Sequence, residues 1–329
     1  MDFTFSPEAE DAAALAAQVL AKDGVDAWSA LEEAGLLTLC LPEAYGGAGL
    51  GLLEQGRVLV EVGRVVAAGA MTTHVAATRF LSETGVEPPT GRLTVAISEP
   101  HDHLPDPPSV RFENGTLTGT KSLVRGGSDA DAVLVTASTP TGSGVFLVTG
   151  DLPRTEQRLS DGDVVVSLEL DETPATQVDG DAARLEQLTV ALTCAEQLGV
   201  TEGALALTAA YARTREQFGR AIGTFQAVAH RLADAHIDLL GQRLTLWQAL
   251  WRLDEGLPAA AEVATAKLWA ADAGHRVAHT TVHVHGGVGI DLDGEAHRYF
   301  TAAKRHELTL GGATEQALRI GRILATQPA

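Results

Sequence analysis

Arg215, Phe218 and Gln226 are the residues of this sequence best suited to binding an anionic ligand that carries an aromatic ring. They lie in the stretch Arg213–Gln226, where Gly219 predicts a turn between the end of one helix and the start of the next. A guanidinium binds a pyrophosphate through paired hydrogen bonds, and a phenylalanine packs against a heteroaromatic ring. The alternative is an ordinary basic loop with its phenylalanine in the core, and without further context that alternative is favoured.

The elements that must position this stretch follow the order helical, β-rich, helical. Residues 1–90 begin with the helix start Ser6-Pro7 and predict an N-terminal helical domain. Residues 91–180 predict a small β-sandwich or barrel, with a hairpin turn at Asn114-Gly115. Residues 181–329 return to a helical period and predict a bundle of four or five helices. The absence of βαβ alternation argues against a dinucleotide-binding Rossmann domain.

The β-rich segment contains four runs with strong strand character. Each run is short, rich in β-branched residues and bounded by turn-forming residues. The predicted strands are Leu93–Ile97, Ala132–Ala137, Gly144–Val148 and Val164–Leu170.

Composition excludes several classes of protein. The chain has 329 residues, a hydrophobic fraction of 45% and a net charge of −19, which fit a folded protein and argue against nucleic-acid binding. No apolar run approaches the length of a membrane span, and Met1-Asp2-Phe3-Thr4 has no signal-peptide character. Cys40 and Cys194 lie in apolar contexts without metal-ligand spacing. We therefore expect a cytoplasmic protein without a disulfide framework.

Three motifs, in order along the chain, resemble the signatures of the acyl-CoA dehydrogenase family. Leu41-Pro42-Glu43 followed by Tyr45–Leu50 is similar to P-E-x-x-G-G-x-G, Arg215–Gln226 to R-x-x-F-G…Q, and His283–Gly289 to Q-x-x-G-G-x-G. The resemblance implies a mainly α fold with an N-terminal helical domain, a central β-domain and a C-terminal four-helix bundle. It also implies FAD as the cofactor.

The resemblance assigns cofactor contacts to six positions of this chain. Arg215, Phe218 and Gln226 match residues that contact the FAD of a neighbouring subunit. Gly286 and Gly287 match glycines that let the backbone approach the cofactor pyrophosphate. His283 replaces the usual glutamine and retains the ability to donate a hydrogen bond.

The family's reaction needs a carboxylate that removes the α-proton of the acyl-CoA thioester. The match places Leu310 at the usual position of this glutamate, and Thr189 at the position used by a minority of members. Neither side chain accepts a proton. Glu196 is the remaining candidate, because it lies seven residues after Thr189 on the same helix face and burial could raise its pKa. The alternative is that Glu196 faces solvent or a subunit interface, as most helical glutamates do.

The β-domain departs from the family in the segments that hold the flavin. Ser98-Glu99-Pro100 retains the start of T-E-P-x-x-G-S-D, but His101-Asp102-His103 follows in place of the remainder. Gly119–Val124 resembles G-x-K-x-W-I-T-N without the tryptophan that covers the flavin. The two histidines lack further ligands, so we predict no metal site.

These departures match a subset of the family in sterol-degrading bacteria. In that subset a shortened subunit lacking the base pairs with a full-length subunit in an α2β2 heterotetramer. The resemblance implies that this chain supplies an FAD half-site, while the full-length partner supplies the glutamate. It further implies an acyl-CoA substrate, such as one with a steroid side chain, and an electron-transfer acceptor. Two alternatives stay open: a self-sufficient homo-oligomeric dehydrogenase that uses Glu196 or another unconventional base, and a non-enzymatic relic that binds acyl-CoA or a protein.

Overall fold

The N-terminal part of the chain is a small group of helices. The computed structural model describes residues 4–22 and 24–326. Helix α1 is preceded by Ser6, whose hydroxyl accepts a hydrogen bond from the Ala9 N–H at 3.1 Å, as the sequence predicts for an N-cap. The helices are α1 (Pro7–Leu20), α2 (Ala27–Glu33), α3 (Leu52–Arg64) and α4 (Met71–Glu83).

The middle of the chain forms one sheet of eight strands. Their order is β6-β7-β3-β2-β4-β5-β8, and β1 pairs with β4 in parallel. Apolar side chains from β3, β4, β5 and β7 pack into one shared cluster, so the sheet curls around its own core. The strands are β1 (Leu93–Ala96), β2 (Arg111–Glu113), β3 (Thr116–Arg125), β4 (Ala132–Thr139), β5 (Gly142–Thr149), β6 (Arg154–Arg158), β7 (Val164–Pro174) and β8 (Thr176–Val178).

The C-terminal part is a bundle of long helices interrupted by one short hairpin. Asp181 caps the first helix by accepting a hydrogen bond from the Ala183 N–H at 2.9 Å. The elements are α5 (Ala182–Thr214), β9 (Glu216–Gln217), β10 (Arg220–Ala221), α6 (Gln226–Asp254), α7 (Ala260–His285), α8 (Glu295–Leu308) and α9 (Ala313–Thr326).

Helix α5 is held against α3 by direct backbone contact. A Cβ atom on Gly63 would overlap the Glu196 carbonyl, and one on Gly199 would overlap the Val60 carbonyl. Only glycine permits this approach, so these two residues fix where Glu196 lies relative to the N-terminal helices.

The helical, β, helical order confirms the predicted fold class, and the Asn114-Gly115 hairpin joins β2 to β3 as expected. Two strands, β6 and β8, have no counterpart in the prediction. Strand β6 is polar throughout and largely exposed, so it carries no apolar alternation to reveal it. Among the described residues, no helix is both long and apolar enough to cross a membrane.

Candidate functional site

Phe218 is displayed at the tip of the hairpin formed by β9 and β10. The two strands pair Glu216 with Ala221 and Gln217 with Arg220, which leaves Phe218 and Gly219 as a two-residue turn. Both turn residues have positive φ, 53° and 76°, as this type of tight hairpin requires. The Phe218 side chain is 93% exposed. A bulky residue in this conformation is uncommon, and such strain concentrates at ligand sites.

Unpaired arginines surround this hairpin, although the chain as a whole is strongly acidic. The Arg220 guanidinium lies 4.2 Å over the ring of Phe225, and that ring meets Phe218 edge-on at 6.2 Å. Arg215 directly follows α5 and is exposed. Within residues 4–22 and 24–326, neither Arg215 nor Arg220 forms an ion pair. Both guanidiniums are therefore free to bind an anion.

The end of α7 lies beside the end of α5. The ring of His285 stacks on Tyr211 of α5 at 4.3 Å, and its Nδ1 lies 2.8 Å from the Thr281 carbonyl oxygen. His285 is therefore a buried packing residue. Because Tyr211 precedes Arg215 by four residues, this stacking brings Gly286, with φ 65° and ψ −140°, to the same end of the bundle as Arg215.

The six residues assigned to the cofactor by resemblance are all exposed. The structure brings the ends of α5 and α7 and the start of α6 to one surface, which we call the arginine–glycine surface. No atom lies within 4 Å of the Cβ position of either glycine, so a ligand has room to approach their N–H groups. Its residues are Arg215, Phe218, Gln226, His283, Gly286 and Gly287.

The two positions expected for a catalytic base converge elsewhere in the chain. Thr189 on α5 and Leu310 in the turn before α9 line one small cavity of about 30 Å³. Leu123 and Ser98, from the altered β-domain segments, line the same cavity. Leu310 has φ 58°, so the turn keeps a strained backbone around an inert side chain. This cavity contains no carboxylate.

A buried ion pair between Arg125 and Glu196 lies beside this cavity. Arg125, the last residue of β3, also lines the cavity and directs its guanidinium at Glu196. Its Nη1 donates to Glu196 Oε2 at 2.6 Å and its Nη2 donates to Oε1 at 2.8 Å. Its Nε donates to Asp163 at 2.8 Å and its Nη2 also donates to the Gly69 carbonyl at 2.8 Å. The guanidinium thereby joins the sheet to α5 and to the loop between α3 and α4.

A second guanidinium extends this network into α8. Arg305 pairs with Asp161, and its Nη2 lies 3.7 Å from Glu196 Oε1. His306 Nε2 lies 3.3 Å from the same carboxylate oxygen. Burial, followed by the charge of Arg305, lowers the pKa of His306 to about 4, so its ring is neutral at pH 7.

Glu196 corrects two of our expectations. It is 2% exposed, so it faces neither solvent nor a subunit interface. Burial alone raises the pKa of a carboxyl, but the charge of Arg125 outweighs it, and the pKa of Glu196 lies well below its usual value. The expectation of a raised pKa is therefore wrong. It was based on the sequence of α5 alone, which does not reveal that Arg125 of β3 contacts Glu196. A carboxylate fixed by two hydrogen bonds at depressed pKa is a poor base.

An open crevice of about 640 Å³ lies between the sheet and the starts of α5 and α9. Its cationic residues are Arg319, which pairs with Glu186, and Arg322. Acidic side chains outnumber them, so the crevice disfavours an anionic ligand. The acidic lining residues are Asp102, Asp106, Asp181, Glu186 and Glu315.

The remaining candidate groups do not form a reactive site. Cys40 and Cys194 are both buried, and burial raises the pKa of each thiol to about 12. His101 and His103 remain on the loop after β1. In the part of the chain that the structure describes, no three His, Cys, Asp or Glu side chains are grouped to hold a metal ion.

Two family domains match this chain. Residues 7–87 match the acyl-CoA dehydrogenase N-terminal domain and residues 187–324 match the C-terminal domain. Acyl-CoA dehydrogenase FadE27 of Mycobacterium tuberculosis is 45% identical over 331 residues, which covers 92% of this chain and 88% of that protein.

Two solved structures are similar over almost the whole length. A chain of the ChsE4-ChsE5 complex from Mycobacterium tuberculosis superposes with a TM-score of 0.89 at 42% identity and covers 100% of both chains. A chain of a Tcur3481-Tcur3483 steroid ACAD variant superposes with a TM-score of 0.90 at 35% identity, covering 97% of this chain and 98% of that one. The chain belongs to the acyl-CoA dehydrogenase family.

Proposed function

We propose that this chain is a cofactor-sharing subunit of an FAD-dependent acyl-CoA dehydrogenase, and that a second, full-length subunit carries the catalytic glutamate. The assembly oxidises the bond between the α and β carbons of an acyl-CoA thioester. One observation carries the proposal: the arginine–glycine surface is intact and exposed, whereas Leu310 and Thr189 leave the chain's own cavity without a base.

The arginine–glycine surface fits the adenine and diphosphate part of FAD. Arg215 offers an unpaired guanidinium for the diphosphate, and Gly286 and Gly287 offer N–H groups without side chains. Phe218 offers an exposed ring for stacking. When bound, FAD supplies the acceptor for the hydride that leaves the β carbon. The residues of this chain bind and orient the dinucleotide, and they move no proton.

An exposed half-site requires a second chain to cover the other side of the dinucleotide. Two similar structures are heteromeric by name, the ChsE4-ChsE5 complex and the Tcur3481-Tcur3483 steroid ACAD. By analogy we propose an α2β2 heterotetramer, a substrate with a steroid side chain, and transfer of the electrons to a separate acceptor. Two free buried thiols and the acidic composition support a cytoplasmic location.

Neither alternative from the sequence is supported by a specific observation. For a homo-oligomeric enzyme the sequence offers Glu196 as its candidate base, but Arg125 donates to both carboxylate oxygens of Glu196. A non-enzymatic relic has no reason to retain Arg215, Phe218 and Gly286 at one exposed surface.

The test is co-expression with a full-length homologue from the same genome that carries a glutamate at either base position. We expect a yellow heteromer that oxidises acyl-CoA with an artificial electron acceptor. Arg215→Ala should lower the FAD content of the purified heteromer at least about tenfold, because the charge-assisted contact to the diphosphate is lost. Arg111→Ala, an exposed arginine on β2, is the matched control and should change nothing.

Two results would contradict the proposal. The first is FAD binding and acyl-CoA oxidation by this chain alone. The second is a colourless heteromer with every full-length homologue tested. Either outcome removes the half-site role, the first in favour of an autonomous enzyme and the second in favour of a structural protein.

A further inference from the structure

We infer that the Arg125–Glu196 ion pair occupies the space that a flavin ring would take in this chain. The pair thereby excludes FAD from this position, which we call the ring site of this chain. This inference rests on the proposed function. In the proposed pair each subunit has one position for a flavin ring, and the inference concerns the position in this chain. The arginine–glycine surface serves a dinucleotide whose ring lies in the partner. The cavity beside Thr189 and Leu310 is what remains of the corresponding ring site of this chain, because protein side chains occupy the rest of that site.

The first argument is space. The cavity lies between two groups of residues. Ser98 and Leu123 belong to the segments that the resemblance assigns to the flavin, and Thr189 and Leu310 stand at the two positions of the family's catalytic base. The volume of the cavity is about 30 Å³. A cavity of that size holds only about one or two water molecules, so a three-ring isoalloxazine does not enter without displacing side chains.

The second argument is that the obstructing side chain is firmly held. Four hydrogen bonds fix the Arg125 guanidinium to Glu196, Asp163 and Gly69, at 2.6 to 2.8 Å. Arg125 is 6% exposed and Glu196 is 2% exposed. Any displacement of the side chain therefore breaks several of these hydrogen bonds at once.

The third argument is the cost of displacement. Moving Arg125 out would leave Glu196 buried without its strongest partner, beside a neutral His306. Removing one partner of a buried ion pair shifts an equilibrium by roughly 10²- to 10⁴-fold. Flavin binding at this site would be weakened by that factor before any contact to the ring is counted.

The experiment compares an opened and a refilled variant, each in the heteromer with the full-length partner. Arg125→Ala with Glu196→Ala opens the site by removing both side chains. Arg125→Met with Glu196→Leu removes the charges but keeps most of the volume. FAD per heteromer pair is measured from flavin absorbance and protein concentration after incubation with excess FAD.

We expect one FAD per pair in the unmodified heteromer and in the refilled variant, and a rise toward two in the opened variant. An opened variant that folds and still holds one FAD would overturn the inference, as would a refilled variant that gains a second. Both results leave the proposed function intact. That function fails separately if the unmodified heteromer holds no FAD.

A measurement on the unmodified heteromer covers the case in which the opened variant does not assemble. Amide hydrogen exchange is recorded with and without excess FAD over residues 122–126, next to the cavity, and over residues 283–289 on the arginine–glycine surface. We expect added protection only at residues 283–289. Protection at residues 122–126 would show that a flavin reaches this chain's cavity and would overturn the inference.

Discussion

Glu196→Gln tests the central ion pair with a minimal change of shape. The substitution keeps the size of the side chain but removes the negative charge that faces Arg125 at 2.6 and 2.8 Å. The guanidinium stays buried with only Asp163 as a close acidic partner. The variant therefore buries the positive charge of Arg125 without the negative charge of Glu196 beside it.

Removing one member of a buried pair costs about 3–5 kcal/mol. The entropy of unfolding is about 2.1 cal/mol/K per residue, which gives roughly 0.7 kcal/mol/K for a chain of this length. The expected fall in the thermal midpoint is therefore about 4–7 °C. Because Glu196 and Arg125 are both ionised near neutrality, the difference should stay constant between about pH 6 and 8.

The assay is thermal unfolding of the variant and the unmodified protein in the same assembly. Asp238→Asn is the control, since Asp238 pairs with the half-exposed Arg276 and such surface pairs contribute less than about 1 kcal/mol. Arg125→Met with Glu196→Leu should recover most of the loss, because apolar replacement of a whole buried pair is often neutral. A midpoint change for Glu196→Gln no larger than that of the control would refute the reasoning.

Three further predictions concern other parts of the chain. Burial lowers the pKa of His74 from 6.5 to about 4, so the unfolded chain binds its proton more tightly and stability should fall as pH drops from 6.5 towards 4. His74→Asn should flatten that slope in urea titrations at several pH values, and an unchanged slope would contradict the assignment. Gly287→Ala should leave the thermal midpoint unchanged yet lower FAD affinity at least about tenfold by titration, whereas Gly286→Ala, at φ 65°, should also cost about 1–3 kcal/mol of stability. Equal effects of the two alanines would be inconsistent with this prediction. Lys121→Met should destabilise the protein by about 3–5 kcal/mol in urea unfolding, because it leaves the buried Glu99 without its 2.8 Å partner, and the added change Glu99→Gln should restore part of that loss.

The fold was predictable where local pattern and tertiary environment agree. Helix α1 begins at Pro7 with Ser6 as its N-cap, where the sequence predicts a helix start. Strand β6 was missed because its polar residues Arg154–Arg158 form hydrogen bonds to β7 without burying a face. Pairing of that kind depends on a partner strand and not on the residues themselves.

The residues of the candidate site can be named from the sequence, but the contacts between distant residues cannot. Local motifs indicate Arg215 and Gly286, and the structure places both on one exposed surface. The fate of Glu196 depends on Arg125, which lies 71 residues earlier in the chain and in a different structural unit. Neither helical periodicity nor a motif indicates such a contact. The apolar neighbours of Glu196 in the sequence therefore predicted a raised pKa, whereas the contact with Arg125 lowers it.

Helix α5 gives the molecule a mechanical property that its individual sites do not. It runs unbroken from Ala182 to Thr214, and the part from Glu196 to Thr214, just before Arg215, spans about 27 Å of rigid helix. Gly63 and Gly199 lock its backbone to α3, so the helix has little freedom to slide or rotate. A substitution that displaced α5 at Gly199 would therefore move Arg215 as well. Because the helix is rigid, a substitution far from the arginine–glycine surface would lower the affinity of that surface for the dinucleotide.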